Sequence, residues 1–217
     1  MIHDSWRKPR RRLLSGAGAI GQGLLGVALI ALAALAFMPS AHAAAPVTLE
    51  NQTFPGDARV AGTPLQLNGV GLRAAFIYKV YLAGLYLPAK AATGADVFAE
   101  AGPKRVQVRM LMNGPSDEFA KAFTGGIAKR TPADQVAAMH DRIAQFDRTQ
   151  RSVGNVRKGD VVNLDYVPAV GLTMTVNGKP FGAPVPGADL YAALLRIFVG
   201  DPPVDARMKA GMLGVAS

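Results

Sequence analysis

An arginine and three tyrosines stand on one apolar stretch, residues 71–88, where their chemistry could act together: Arg73, Tyr78, Tyr81 and Tyr86. An arginine holds a planar carboxylate through two parallel hydrogen bonds, and a tyrosine joins an apolar ring to a polar tip that can donate another. This stretch, rich in β-branched and aromatic residues, could therefore hold an anionic head group beside an apolar interior. The alternative is that Arg73 snorkels from a strand end and that the tyrosines are packing residues.

The composition excludes several kinds of catalytic site. The chain of 217 residues contains no cysteine, which excludes thiol nucleophiles, zinc–thiolate sites and iron–sulfur clusters. Of its three histidines only His140 lies beyond residue 43, too few for a histidine-based triad or a multi-histidine metal centre. We therefore expect no metal and no cofactor, and we expect His140 to be a partly buried structural residue beside an apolar helical stripe.

Residues 1–43 have the pattern of a secretory signal peptide. A basic start is followed by an apolar stretch, and the tripeptide Ala-His-Ala at 41–43 fits the small-x-small cleavage pattern. The alternative is an uncleaved anchor, since the segment 13–38 is long enough to span a bilayer. We expect cleavage after Ala43, a periplasmic or secreted protein, and no membrane span in the remaining chain.

The net charge of +9 belongs only in part to the remaining chain. Without the five basic residues and one aspartate of 1–43, the chain keeps 19 basic and 14 acidic residues. The basic residues are scattered, whereas nucleic acid binding needs them clustered in a stripe. We therefore expect no nucleic acid partner.

Strands are predicted from alternating apolar residues and from turn pairs. Asn-Gly pairs at 68–69 and 177–178 each follow an alternating run and predict two hairpins. The stretch 71–88 is either one long strand or two joined strands. The segment 104–112 alternates so that one face is apolar and the other is largely solvated.

Helices are predicted in two later regions. Phe119, Phe123 and Ile127 recur at four-residue spacing, and a second helix is predicted to start at Thr131. The glycine pair at 125–126 indicates a close approach, a helix end or a kink. Further helices are predicted within 189–213, so the chain from 44 to 217 is expected to form one α+β domain with helices on one face of an antiparallel sheet.

These segments resemble the chalcone isomerase-like family, and its bacterial exported branch in particular. The motifs that carry the resemblance span about 60–214 and are Gly71-Leu72-Arg73, the run 79–88, Lys158-Gly159-Asp160, Asp165-Tyr166-Val167-Pro168, and the run 193–200 with Pro203 and Asp205. The resemblance implies an open-faced β-sandwich, in which a helical layer covers one face of an antiparallel sheet and the ligand cleft lies between them.

The resemblance also implies which residues carry function. Enzymes of the family position a substrate phenolate and a water with an Arg, a Thr, a Tyr, an Asn and a late Thr or Ser. Here Arg73 matches the Arg, whereas Tyr81, Phe119, Gly126 and Ile197 stand at or near the other four positions. Fatty-acid-binding members hold a carboxylate with an Arg and a Tyr on this strand pair, which Arg73 and Tyr81 match.

We therefore expect a protein that binds a fatty acid or similar amphipathic anion, without efficient catalysis. Arg73 and Tyr81 would hold the head group, and Phe119, Phe123 and Ile197 would line the tail, although the same apolar residues could be ordinary core. One alternative is an intramolecular lyase of the chalcone isomerase type acting on a chalcone-like or other small unsaturated substrate, with Arg73 and Tyr81 as catalytic residues. Another is a non-catalytic envelope helper that contacts a partner protein.

Overall fold

A computed structural model describes residues 44–215, which belong to one compact unit. Its strands are β1 (Val47–Leu49), β2 (Gln52–Phe54), β3 (Asp57–Val60), β4 (Thr63–Ala75), β5 (Tyr78–Leu87), β6 (Lys104–Met110), β7 (Gly114–Pro115), β8 (Asn155–Val156), β9 (Val161–Val167), β10 (Gly171–Val176) and β11 (Lys179–Val185). Its helices are α1 (Gly94–Ala99), α2 (Ser116–Arg130), α3 (Ala133–Ala138), α4 (His140–Arg151), α5 (Ala188–Val199) and α6 (Ala206–Met212).

Seven strands form the main sheet, in the order β11-β10-β9-β6-β5-β4-β3, and every neighbouring pair is antiparallel. The strands β1 and β2 form a separate hairpin, and β7 pairs with β8. The predicted α+β class with an antiparallel sheet and a helical layer is confirmed. Among residues 44–215, no helix has the length and apolar character needed to cross a membrane. The predicted signal peptide, residues 1–43, lies outside the described residues and stays a prediction.

The stretch 71–88 is two strands rather than one. Strand β4 ends and β5 begins on either side of a two-residue turn, formed by Phe76 and Ile77. Phe76 has a φ of 55°, a left-handed conformation that is uncommon for a bulky side chain. The antiparallel register places Arg73 directly opposite Tyr81, so the two side chains lie on the same face of the sheet.

The two Asn-Gly pairs behave differently. The pair at 177–178 connects β10 to β11 as predicted. The hairpin predicted at 68–69 is wrong, because this pair lies inside β4 where the register with β5 shifts. The Asn68 side chain instead bonds the backbone N–H and carbonyl of Ala91, at 2.8 and 3.0 Å, and the carbonyl of Met212, at 2.8 Å. Tertiary contacts with α6 and the loop before α1 therefore replace the expected local turn.

The main core fills the space between the sheet and the helices. Leu85 and Val106 of the sheet belong to the same buried cluster as Leu194 of α5. The rings of Phe123 and Phe146 meet edge to face, with centroids 4.9 Å apart, and this contact joins α2 to α4. Phe123, Phe146 and Leu194 belong to the apolar helix faces that the helical spacing predicted.

The opposite face of the sheet carries a second, smaller core. The expectation that this face of β6 is largely solvated was wrong, because Phe54 from the β1–β2 hairpin covers it. The guanidinium of Arg109 lies over the Phe54 ring, 5.0 Å from the ring centre. Phe54, Leu82 and Tyr86 are fully buried in this second cluster, and Gln107 is buried as well.

The helices differ from the prediction in continuity more than in position. Helix α2 runs unbroken through 125–126, and a Cβ on Gly126 would lie 3.0 Å from the Ile197 side chain, so a close approach to α5 explains this glycine. The helix predicted from Thr131 is divided at Met139 into α3 and α4. Met139 is buried at this junction, and the following residue, His140, is exposed with 81% of its side chain in solvent. The prediction that His140 is partly buried was therefore wrong.

Candidate functional site

A cavity of about 470 Å³ lies between the main sheet and helices α2 and α5. Its lining is largely apolar and includes Val108, Met110, Leu164, Met174, Ala122 and Val204. Its polar side chains are few: Arg73, Tyr81, Asn113, Ser116, Glu118 and Gln150. The volume falls within the range of about 300–1,000 Å³ that is typical of pockets for small ligands.

All five residues predicted from the sequence line this cavity. Arg73 and Tyr81 come from the β4–β5 pair, Phe119 and Phe123 from α2, and Ile197 from α5. Strand pairing and helix packing thus bring together residues that are up to 124 positions apart in the sequence. Their roles in binding a ligand stay a prediction.

The other two tyrosines of this stretch do not line the cavity. Tyr78 is exposed beside the β4–β5 turn. Tyr86 is buried on the opposite face of the sheet, where its hydroxyl donates a hydrogen bond to the Pro55 carbonyl at 3.1 Å. The alternative that these tyrosines are packing residues is therefore correct for Tyr86 but not for Tyr78.

Tyr81 is placed to act as a hydrogen-bond donor. Burial raises the pKa of the Tyr81 phenol to about 12; the nearby charge of Arg73 lowers this pKa and that of Asp205 raises it. The phenol therefore keeps its proton at neutral pH. The hydroxyl makes no hydrogen bond with any residue in 44–215, so within this part of the chain it remains available to a ligand.

Arg73 has a carboxylate beside it that the sequence analysis did not assign to the site. Its Nη1 lies 3.4 Å from Oδ2 of Asp205 and also donates to the carbonyl of Ala74. The other oxygen of Asp205 accepts the N–H groups of Arg207 and Met208, at 3.0 and 3.1 Å, and so caps the N-terminus of α6. One carboxylate therefore both starts a helix and offsets the charge of Arg73. An Asp before a helical segment indicates such a cap, but its pairing with a residue 132 positions away is not visible in the sequence.

Gln150 is a second lining residue that the sequence analysis missed. It lies four positions after Phe146 in α4, and so continues the predicted apolar stripe. Its Nε2 is buried and has no hydrogen-bond partner in the described part of the chain. The helical spacing alone could have indicated that this polar side chain faces inward.

The comparisons with known proteins place the chain in a family. A sequence model of the family described as chalcone isomerase-like matches residues 46–214. The chain belongs to the chalcone isomerase-like family. The motif resemblance is thereby confirmed, and it extends over nearly all of the described residues.

A solved structure has the same fold as this chalcone isomerase-like chain. It is a fatty-acid binding protein of Arabidopsis thaliana, 15% identical in sequence, with a TM-score of 0.60. The likeness covers 77% of this chain and 95% of the Arabidopsis chain. At this identity the comparison shows the shared fold alone. No curated protein sequence matches the chain.

Proposed function

We propose that this chalcone isomerase-like domain binds a fatty acid or a similar amphipathic anion in the cavity. The observation that carries the proposal is the cross-strand pair of Arg73 and Tyr81 on the wall of an otherwise apolar cavity. The carboxylate would accept hydrogen bonds from both side chains, and the tail would pack against Phe119, Phe123 and Ile197. Burial of each methylene contributes about 0.8 kcal/mol, so the tail would supply most of the affinity.

The unused edge of Arg73 supports this placement of the carboxylate. Arg105 in the same sheet shows the geometry of a full pair, because its Nε and Nη2 each lie 2.6 Å from an oxygen of Asp165. Arg73 contacts Asp205 through Nη1 only. Its Nε and Nη2 make no hydrogen bond with residues 44–215, and this is the edge that binds a carboxylate with two parallel bonds.

The fold of the Arabidopsis fatty-acid binding protein supports the proposal at the level of architecture. The predicted signal peptide supports a further part of it, that the domain works in the periplasm or outside the cell after cleavage following Ala43. Export would be supported if the protein is recovered from a periplasmic fraction and its mass, measured by mass spectrometry, shows that it begins at residue 44. A product that retains residues 1–43 in the membrane fraction would contradict it.

The intramolecular lyase is the second candidate, because the same Arg73 and Tyr81 could stabilise an oxyanion and order a water. The raised pKa of Tyr81 keeps the phenol protonated at neutral pH, so it can donate a hydrogen bond but does not act as a general base. A spectrophotometric assay with a chalcone separates the two candidates. Cyclisation above the uncatalysed rate, abolished in Arg73→Gln, would favour the lyase.

Fatty-acid affinity tests the leading proposal. The delipidated protein comprising 44–217 is titrated with a long-chain fatty acid in competition with a fluorescent analogue. Arg73→Gln is expected to weaken binding by about tenfold or more, since charge-assisted hydrogen bonds contribute about 1.5–3 kcal/mol. Arg59→Gln is the matched control, because Arg59 is an exposed arginine of β3 that does not line the cavity. Equal affinity of Arg73→Gln and the parent protein would refute the head-group site.

A further inference from the structure

The turn between β4 and β5 exposes three consecutive large apolar residues. Phe76 is fully exposed, and Ile77 and Tyr78 are exposed by 86% and 63%. Contiguous exposed apolar groups of this kind mark interaction sites with proteins or membranes. The turn also places a bulky aromatic residue at a φ of 55°, a position where two-residue hairpin turns favour glycine or asparagine. The turn sequence therefore favours neither the solubility of the protein nor the backbone conformation of the turn.

This turn stands beside the opening of the cavity. Ala75 and Val80, which flank the turn, both line the cavity. The segment directly after β6 is bonded here, because the Leu111 N–H donates to the Val80 carbonyl at 3.0 Å. Met112 follows in that segment, and it is both exposed and part of the cavity lining. The apolar tip and the cavity opening therefore share one end of the sheet.

Basic residues lie at the same end. Arg157 and Lys158 are exposed, and the Lys158 N–H donates to the side chain of Asn113 on the cavity rim at 2.8 Å. Lys179 is exposed directly after the β10–β11 turn. None of these three side chains forms an ion pair within residues 44–215.

The acidic residues at this end are already engaged. Asp160 accepts hydrogen bonds from the backbone N–H of Arg157 and from the side chain of Asn177, at 2.7 and 2.9 Å. Glu50 is paired with Lys79 at 2.7 Å. Asp160 keeps its negative charge, whereas Glu50 is offset by Lys79 and the cavity-lining Glu118 by Lys121. Against Arg157, Lys158 and Lys179, the charge that these residues present to a partner is still positive.

We propose that this end of the sheet docks on an anionic lipid bilayer. Phe76 and Ile77 would enter the boundary between head groups and acyl chains, Tyr78 would lie at the level of the head groups, and Arg157 and Lys158 would contact lipid phosphates. A protein partner fits the tip less well, because three such side chains offer roughly 500 Å², below the roughly 800 Å² per partner of a stable interface. Docking would bring the cavity opening to the lipid surface, and it does not depend on which ligand the cavity holds.

A tryptophan reporter tests the insertion of the tip. The only tryptophan of the chain is Trp6, so a protein comprising 44–217 has none, and Phe76→Trp becomes its sole emitter. With vesicles of phosphatidylcholine and about a third phosphatidylglycerol, we expect its emission to shift to the blue and to be quenched by brominated acyl chains. Val170→Trp is the matched control, since Val170 is exposed in the β9–β10 turn at the opposite end of the sheet. Equal quenching of both reporters, or of neither, would overturn the proposal.

Removal of the tip gives an independent measurement. The pair Phe76→Gly and Ile77→Ser creates a turn that suits a two-residue hairpin, so the fold should be retained. Its partition onto the same vesicles in a flotation assay is expected to fall by at least about tenfold. The pair Phe98→Ser and Val170→Ser, both exposed apolar positions away from the tip, should partition like the parent protein.

Several results would overturn this assignment. One is a parent protein that remains in solution with every vesicle composition. Another is a tip variant that floats as well as the parent protein. A third is a parent protein that is dimeric in light scattering while the tip variant is monomeric. This result would show that a second copy of the chain covers the tip. Binding that depends on phosphatidylglycerol but not on Phe76 and Ile77 would assign the contact to the basic residues alone.

Discussion

The substitution Asp205→Asn removes the charge of this side chain but keeps its role as a helix cap. Asp205→Asn keeps a side-chain oxygen for the N–H groups of Arg207 and Met208, and Asn and Asp are similarly good caps. The substitution removes the negative charge that lies 3.4 Å from Arg73. We expect the affinity for a fatty-acid anion to rise, because the ligand no longer shares the guanidinium with a fixed carboxylate.

The size of this effect follows from the geometry of the pair. A carboxylate on the Nε–Nη2 edge of Arg73 would lie on the order of 6 Å from that of Asp205, where two unit charges repel by about 3 kcal/mol at an effective dielectric constant of about 20. Arg73 and Asp205 keep 26% and 16% of their side-chain surface in solvent, which screens part of this repulsion. About 1.4 kcal/mol then remains, equivalent to about tenfold in affinity.

A pair of ligands with one tail makes the assay specific for charge. The parent protein and Asp205→Asn are each titrated with a fatty acid and with the fatty alcohol of the same length. Only the acid should bind about tenfold more tightly to the variant, and its gain should shrink as the salt concentration rises. Thermal unfolding of both proteins checks that the cap is preserved.

Two results would refute this reasoning. An equal gain for the acid and the alcohol would show that the substitution acts through packing and not through charge. A weaker affinity for the acid would show that Asp205 positions Arg73 for the ligand more than it competes with it. Either result would also remove the basis for placing the carboxylate on the Nε–Nη2 edge.

Four further substitutions test the structure around the site. Gly71→Ala should destabilise the fold by about 3 kcal/mol, since its Cβ would lie 2.1 Å from the Met208 carbonyl oxygen. A Cβ on Gly125 meets nothing within 4 Å, so Gly125→Ala should stabilise the helix by about 1 kcal/mol. Equal effects of the two substitutions in urea unfolding would contradict this packing. Gln150→Met removes a buried donor without a partner in residues 44–215 and should raise stability by about 1 kcal/mol; a lower melting temperature would show that the amide is satisfied. Because burial raises the pKa of Tyr81 from 10.0 to about 12, its contribution to stability is complete below pH 10 and is lost as the pH rises through 12. Tyr81→Phe should therefore flatten the alkaline fall in stability, and an unchanged slope would contradict the burial of the phenol.

The sequence predicted those parts of the fold that depend on local periodicity. Alternation identified β6 and the β10–β11 hairpin, and helical spacing identified the inward faces of α2 and α5. The motif order led to the correct family, and with it to Arg73 and Tyr81 on paired strands. Local patterns sufficed here because the apolar faces and the turn residues agree with the tertiary fold.

The incorrect predictions share a physical cause: contacts with distant parts of the chain override a local structural preference. The pair at 68–69 has the sequence of a turn, but contacts with α6 hold it inside a strand. Strand β6 has a polar face, yet Phe54 covers it from a hairpin about 50 residues earlier. The role of Asp205 beside Arg73 likewise depends on packing that no local window contains. Gln150 is the exception, because its helical spacing from Phe146 indicates the inward position.

The contact between β4 and α6 has a consequence for how this domain can diverge. A Cβ on Gly69, on Gly71 or on Gly211 would lie within 2.4 Å of a backbone oxygen of the opposing element, so strand and helix touch through their main chains. This seam fixes the residue at the start of α6 against Arg73, although the helix itself contributes no wall to the cavity. In the proposed binding site, a single substitution at position 205 would therefore alter the preferred charge of the ligand without changing the seam or the apolar cavity.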